Sequence, residues 1–509
     1  MKIVSLALCF LTLLCCQHTP MVPEVHPIEQ MSDSAFTQYL FALSDSLNRD
    51  TRPDFERELD ADACLADLHI LKRILEEAQT PLYRYASKKE IDSVFQEAFI
   101  QTRESTYYLD FIKSMARIQN LIACGHSGWS HHADYFAYRD SAVQLFPFGI
   151  KRLKNQWYIK HNNSLNPDIP DFIQLTHINQ QPVDSIAKQL RKLMYRDGNA
   201  ALGTAYDLEN SFTHAYSNFI AQPRQFELKT RNEEGETGKY KARALLKPVI
   251  DSIRRVRYGT SRRMGLPLRF QIIDSLSTGI YTIKWFRKEY IRYMGQHFRN
   301  FTDSVFAELS RQHISKLVID IRDNPGGWTA HGRYLFSYFV NTPQDYINRI
   351  EIKKPDNFSF HPIITQYPGY TDTFNLKPNL AGLYEWVNYP SLKVRPAQKN
   401  RFKGKVFIGT NGGTRSCGSV FASLMQDHTD AIISGEETGS VKSGTGGMVM
   451  SIRLPYSGLT YHFTTARYSL NVKDEDASHG VIPNIEIHPD REDFIQGTDP
   501  LIKTIKKGI

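Results

Sequence analysis

The sequence predicts a multi-domain α/β protein: an α/β core in the C-terminal half, a helical region near the start, and a small α+β insert between them. Three observations carry this. At 509 residues the chain exceeds what one ordinary hydrophobic core organises, so two or three domains are expected. From about 27 to 120, apolar residues recur at helical spacing. From 268 onward, apolar runs stopped by glycine-rich turns alternate with amphipathic stretches, the pattern of strands and helices packed in layers.

The first residues form an export signal rather than part of the fold. Lys2 supplies a positive start, and Ile3 to Leu14 form an apolar run shorter than the roughly 20 residues needed to span a bilayer. Leu13-Leu14-Cys15-Cys16 resembles a bacterial lipobox, which implies an exported, periplasmic or outer-membrane lipoprotein with a lipid on Cys16. That lipid would be the sole membrane attachment.

Residues 27–135 read as the helical region. Phe36, Leu40, Leu43 and Leu47 recur at helical spacing, and Leu65, Leu68, Ile70, Leu71 and Ile74 repeat the pattern. Ser87 and Glu90 have capping-box spacing ahead of Ile91, Val94 and Phe95. Residues 140–250 change to short strands at 144–148, 156–160 and 172–178. A turn at 179–182, a helix carrying Ile186, Leu190 and Leu193, and a strand from Gln225 follow. That order resembles a peptide-binding PDZ-like module. A generic α+β insert fits too, because the polar stretch from Arg196 to Tyr216 is foreign to a compact PDZ domain. Residues 268–490 form the α/β core, with buried strands at 281–286, 316–322, 405–410 and 431–434 and helices at 298–312 and 419–427.

Composition narrows the function classes. Hydrophobic residues at 41% and aromatics at 12% exclude a disordered chain. A formal charge of +8 is mild for this length, and the basic residues are scattered, so no nucleic-acid partner is implied. Outside the leader only Cys64, Cys124 and Cys417 remain, too few for a disulfide framework and without metal-ligand spacing. Neither a metal nor an organic cofactor is implied, and no feature specifies an oligomeric state.

The chemistry concentrates at two turns. The strand 405–410 stops at Asn411-Gly-Gly-Thr-Arg-Ser416-Cys417-Gly418, and a helix follows. A serine between a buried strand and a helix start is exposed at the strand's carboxyl end, where clefts form, with free N–H groups beside it. The strand 316–322 stops at Asp323-Asn-Pro-Gly326-Gly327, where glycines let the backbone approach closely.

Together with Gly435-Glu-Glu-Thr-Gly439, Leu454-Pro-Tyr-Ser-Gly458 and Gly480-Val-Ile-Pro483, these strings resemble the tail-specific (C-terminal-processing) serine proteases over roughly 268–490. The resemblance implies a ClpP/crotonase-like core and a serine endopeptidase acting on polypeptides, with Ser416 as nucleophile. Gly326 or Gly327 with Cys417 would form the oxyanion hole. The base has two candidates. In the dyad branch a lysine follows Gly-Glu-x-Thr-Phe-Gly, but Lys442 is displaced by one residue and the aromatic is missing. Cys124-Gly125-His126-Ser127 resembles the other branch, that of the tricorn core proteases and the interphotoreceptor retinoid-binding protein, and makes His126 the leading candidate. For the acid that orients it, Asp476 comes first and Glu475 second, with Asp474 beside them; the family's usual glutamate position falls on Ala477. Relatives without catalysis keep open a peptide- or apolar-ligand-binding protein of the same fold. If His126 reaches Ser416, Cys124 and Cys417 also draw near, as inert buried thiols or as a regulatory disulfide.

Overall fold

The chain is seen in a computed structural model that describes residues 27–47, 55, 58–105, 107–259, 265–367, 375–389, 392–394, 396–397, 399–474 and 478–507. The leader with Cys16, and the residues Glu475 and Asp476, lie outside these. Among the described residues no helix is long and apolar enough to cross a membrane.

The helical region is built by local signals. Helix Ala61–Ala78 starts where the Asp60 carboxylate accepts the Ala63 N–H, and it buries Leu68, Leu71 and Ile74. Helix Lys88–Glu104 opens on the expected capping box. Ser87 Oγ accepts from Glu90 N, and the Glu90 carboxylate accepts from Ser87 N at 2.8 Å. Helix Tyr108–Ile122 ends at Ala123 in the left-handed conformation, φ 53°. The chain then reverses through Cys124-Gly-His-Ser into the short strand Gly128–Ser130.

The insert carries its own apolar core. Strands Phe148–Leu153, Gln156–Asn162, Gln174–Ile178, Gln225–Arg231 and Thr237–Arg243 form an antiparallel sheet. Helices Val183–Arg191 and Ala201–Phe219 pack on it through Ile186, Leu190, Leu208 and Phe212. The polar stretch from Arg196 to Tyr216, foreign to a compact PDZ domain, is mostly the second of these helices. Its apolar stripe of Ala205, Leu208, Phe212 and Ala215 is narrow, which is why composition masks it.

Two sheets organise the remainder. The first runs in the order Leu268–Ile273, Thr278–Ile283, Lys316–Asp320, Lys405–Thr410, Ile432–Gly435, Ile485–Glu486. Its first pair is antiparallel and the others parallel. Covered on both faces, its central strands are apolar at every position from Leu317 to Ile319 and from Val406 to Ile408. One face joins the core shared with the helical region. On the other, Ile280, Val318 and Phe407 meet Leu501 and Ile505 of helix Pro500–Lys506, so this core extends beyond the expected boundary at 490.

The second sheet is centred on the long hairpin Gly444–Arg453 and Thr460–Ser469. Strand Gly128–Ser130 joins it antiparallel, with Gly128 opposite His462 and Ser130 opposite Thr460. Asp67 of the helical region is buried and accepts from Tyr456 N (3.1 Å) and Ser457 N (2.7 Å), the tip of that hairpin. These contacts carry the turn holding His126 to the α/β core.

Candidate active site

The strand Lys405–Thr410 ends beside the strand Lys316–Asp320, and the two turns that follow are stitched together. Asn411 Oδ1 accepts from Asp323 N (2.9 Å) and Gly413 N (3.0 Å). Thr414 Oγ1 donates to Ile321 O at 2.8 Å, and Arg415 N to Asn324 O at 2.8 Å. Ser416 sits at the end of this frame with φ 48° and ψ −123°, a strained conformation for a residue with a side chain, and helix Cys417–His428 begins at the next residue. Such a strand-to-helix turn holds the hydroxyl clear of its own backbone.

The structure brings His126 to it from 290 residues away. His126 Nε2 lies 3.0 Å from Ser416 Oγ. Nδ1 lies 3.3 Å from Thr445 Oγ1, and that hydroxyl donates to Gly446 O at 3.2 Å. With its proton committed to the carbonyl, Thr445 offers Nδ1 a lone pair. Nδ1 therefore carries the imidazole proton, and Nε2 is free to accept from Ser416. Burial pushes the His126 pKa below its ordinary 6.5; the Asp197 carboxylate opposes this and Arg415 adds to it.

Lys442 is held elsewhere. Its buried ammonium donates to Asp427 Oδ1 (2.9 Å) and Gln426 Oε1 (3.0 Å), near the far end of the helix that starts after Ser416. At 1.5 Å rise per residue that is about 16 Å along the axis. The one-residue displacement in the sequence has this consequence: the side chain anchors the helix end instead of facing the nucleophile.

The glycine turn lies against the serine. A Cβ on Gly326 would stand 2.6 Å from Ser416 Cβ and 2.9 Å from Cys417 N. Gly326 N–H, however, already donates to Asn324 Oδ1 at 2.8 Å, which corrects its place among the free donors. Gly327 is differently disposed. Phe286 N donates to Gly326 O (2.9 Å) and Trp328 N to Phe286 O (3.0 Å), the pattern of a parallel bridge between Phe286 and Gly327. In that pattern the bridged residue turns its own N–H to the opposite side. The strands Thr278–Ile283, Lys316–Asp320 and Lys405–Thr410 that precede these turns are neighbours in that order, and Gly326 abuts Ser416 and Cys417 N, so that side is the one holding Ser416 and Cys417.

Cys124 and Cys417 are free, buried thiols whose pKa values burial raises; Cys124 Sγ contacts Thr464 Oγ1 at 3.5 Å and Cys417 Sγ contacts Trp328 O at 3.4 Å. Asp474 pairs with His479 at 3.7 Å. Two residues that sequence reading passed over stand at the site: Thr445, just beyond the displaced lysine, and Asp197, inside the polar stretch before helix Ala201–Phe219. Among the described residues no cluster of three His, Cys, Asp or Glu side chains could hold a metal.

Residues 282–487 match the model of peptidase family S41. No curated protein matches the chain. Mature CPAF is similar in structure, with a TM-score of 0.63 at 14% identity over 88% of this chain and 97% of that one, so the two share a fold. The photosystem II D1 C-terminal processing protease aligns over 84% of this chain and 93% of its own at 13% identity, with a TM-score of 0.39. The stretch that matches the family contains Ser416, Gly326 and Gly327 and leaves His126 outside.

Proposed function

We propose that this chain, whose residues 282–487 match peptidase family S41, is a serine-type peptidase of the tail-specific kind in which Ser416 attacks the peptide bond with His126 as its general base. The observation that supports this most is the 3.0 Å approach of His126 Nε2 to Ser416 Oγ, with Nδ1 held by Thr445. In acylation the Ser416 proton passes to Nε2 while Oγ bonds to the carbonyl carbon. The oxyanion is received by the N–H groups of Cys417, at the helix N-terminus, and of Gly327. The imidazolium then protonates the leaving amine, and water, deprotonated by the same nitrogen, hydrolyses the acyl-enzyme. Ser416→Ala should leave a folded protein that neither cleaves a broad peptide mixture nor reacts with a fluorophosphonate probe. Cleavage by that variant at the parent's rate would overturn the assignment, and a parent that takes no label on Ser416 would point to a binding protein. His126→Ala should lower kcat by on the order of 10⁴-fold or more. Lys442→Ala, assayed where it is folded, should stay within about tenfold of the parent. The reverse ranking would make Lys442 the base.

A further inference from the structure

The imidazole that receives the serine proton passes through a cationic state, and a buried cation needs a nearby negative charge. Asp197 stands next to the turn that carries His126. It is 4% exposed. Its Oδ1 accepts from Gly125 N at 3.3 Å, and a Cβ on Gly125 would lie 2.9 Å from Asp197 Cβ and Cγ, so the two segments are in van der Waals contact. Gly198 N donates to Ala123 O at 2.8 Å, closing the same contact from the other side. Asp197 Oδ2 is buried with no hydrogen-bond partner, and among the described residues no cation forms an ion pair with Asp197.

The neighbouring groups leave its charge uncompensated. Tyr85, Tyr195 and Cys124 face Asp197, all with pKa values pushed up by burial, so they stay neutral near pH 7. Arg84 and Arg467, which bear on Tyr85, are engaged elsewhere, Arg84 donating to Ser443 Oγ at 2.8 Å and Arg467 pairing with Glu351 at 4.0 Å. Arg196 turns away to Asn120 O, Gly198 O and Asn199. Arg415 is the cation that bears on His126, and it is paired with Asp207 at 2.8 Å. A buried carboxylate without a counter-ion is costly to fold, and the group beside it that can become cationic is His126.

We propose that Asp197 is the positioning residue of His126: it fixes the Gly125–His126 turn and supplies the negative charge that stabilises the imidazolium formed during acylation. This rests on His126 being the base. It assigns to the loop before helix Ala201–Phe219 the part that the sequence assigns to the acidic turn at 474–476. Those two segments adjoin, since Asn199 N donates to Ser478 O at 2.5 Å, and the test must separate them.

The experiment is the pH profile of kcat/KM for cleavage of a neutral peptide by the parent, Asp197→Asn, Glu475→Gln and Asp476→Asn, with His126→Ala as the control on the base. Losing a carboxylate beside the imidazole makes the imidazolium less stable, so in D197N the acid limb should move to lower pH. The plateau should fall about 10- to 100-fold, and fluorophosphonate labelling of Ser416 should slow in parallel. If the plateau falls without moving the limb, Asp197 only packs and the proposal is overturned. It is equally overturned if E475Q or D476N moves the limb and D197N does not. Should D197N fail to fold, Asp197→Ser, which keeps an acceptor for Gly125 N–H and removes the charge, reads out the same shift. An active H126A would sink the base assignment instead, whatever D197N does.

Discussion

At the scale of single residues, His126 is defined by its two ring nitrogens, one facing Ser416 Oγ and the other Thr445 Oγ1. Thr445 sets the tautomer through one hydrogen bond to a neutral hydroxyl, a contact worth about 0.5–1.5 kcal/mol. Thr445→Val should therefore lower kcat about tenfold and leave KM nearly unchanged, while Thr445→Ser should restore most of the rate. Equal kinetics for the valine variant and the parent would show that the hydroxyl does not orient the ring. The second expectation concerns pH. Burial disfavours the charged imidazole and places its pKa below 6.5, so the base stays neutral, and able to accept a proton, into mildly acidic solution. The acid limb of kcat/KM should have its midpoint below pH 6.5. A midpoint at or above that value would mean that burial is not the dominant influence on this histidine.

At the scale of elements, the site is the junction of two glycine turns and one helix start. Strands and turns of this kind are legible in the sequence because they are local: an apolar run ending in Asn-Pro-Gly-Gly or Asn-Gly-Gly specifies both the strand and its stop. The displacement of Lys442 is legible for the same reason. The pairing of His126 with Ser416 is not local. No periodicity links residues 290 apart, and only the resemblance of Cys124-Gly-His-Ser to a family string suggests it. Asp197 leaves no signal, since a buried carboxylate in a polar stretch reads as a loop. Helix Ala201–Phe219 presses on the nucleophile turn at backbone distance. A Cβ on Gly203 would lie 2.6 Å from Gly439 O, and Arg415, next to Ser416, donates to Gly203 O at 2.6 Å and pairs with Asp207. Because the obstructing atoms are backbone, Gly203→Ala should push the helix off. Overpacking of this kind costs about 1–3 kcal/mol, and moving Arg415 should lower kcat/KM at least tenfold in protein that remains folded. A variant with parental kcat/KM would show that the helix does not brace the nucleophile turn.

At the scale of the whole molecule, the helical region and the α/β core share one apolar cluster, while the insert is built around another. The insert nevertheless holds part of the site's frame: Tyr195 and Gly203 accept from Arg415, Asp207 pairs with it, and Asp197 accepts from Gly125. Separate cores unfold as separate units, so one transition is not expected for the chain. Phe146 lies at the centre of the insert's core, ringed by Phe148, Phe212, Tyr216 and Phe226. Phe146→Ala should cost about 3–5 kcal/mol. For a unit of about 100 residues that lowers the insert's melting temperature by roughly 10 °C or more. The transition of the shared core should keep its position. Peptidase activity, measured after brief holds at each temperature, should disappear with the insert's transition, because Ser416 and His126 lose their bracing while their own core is still folded. A single calorimetric peak that shifts as a unit would show that the contacts at Gly203 and Arg415 fuse the two cores into one cooperative body. Activity that survives to the upper transition would show that the insert does not support the site.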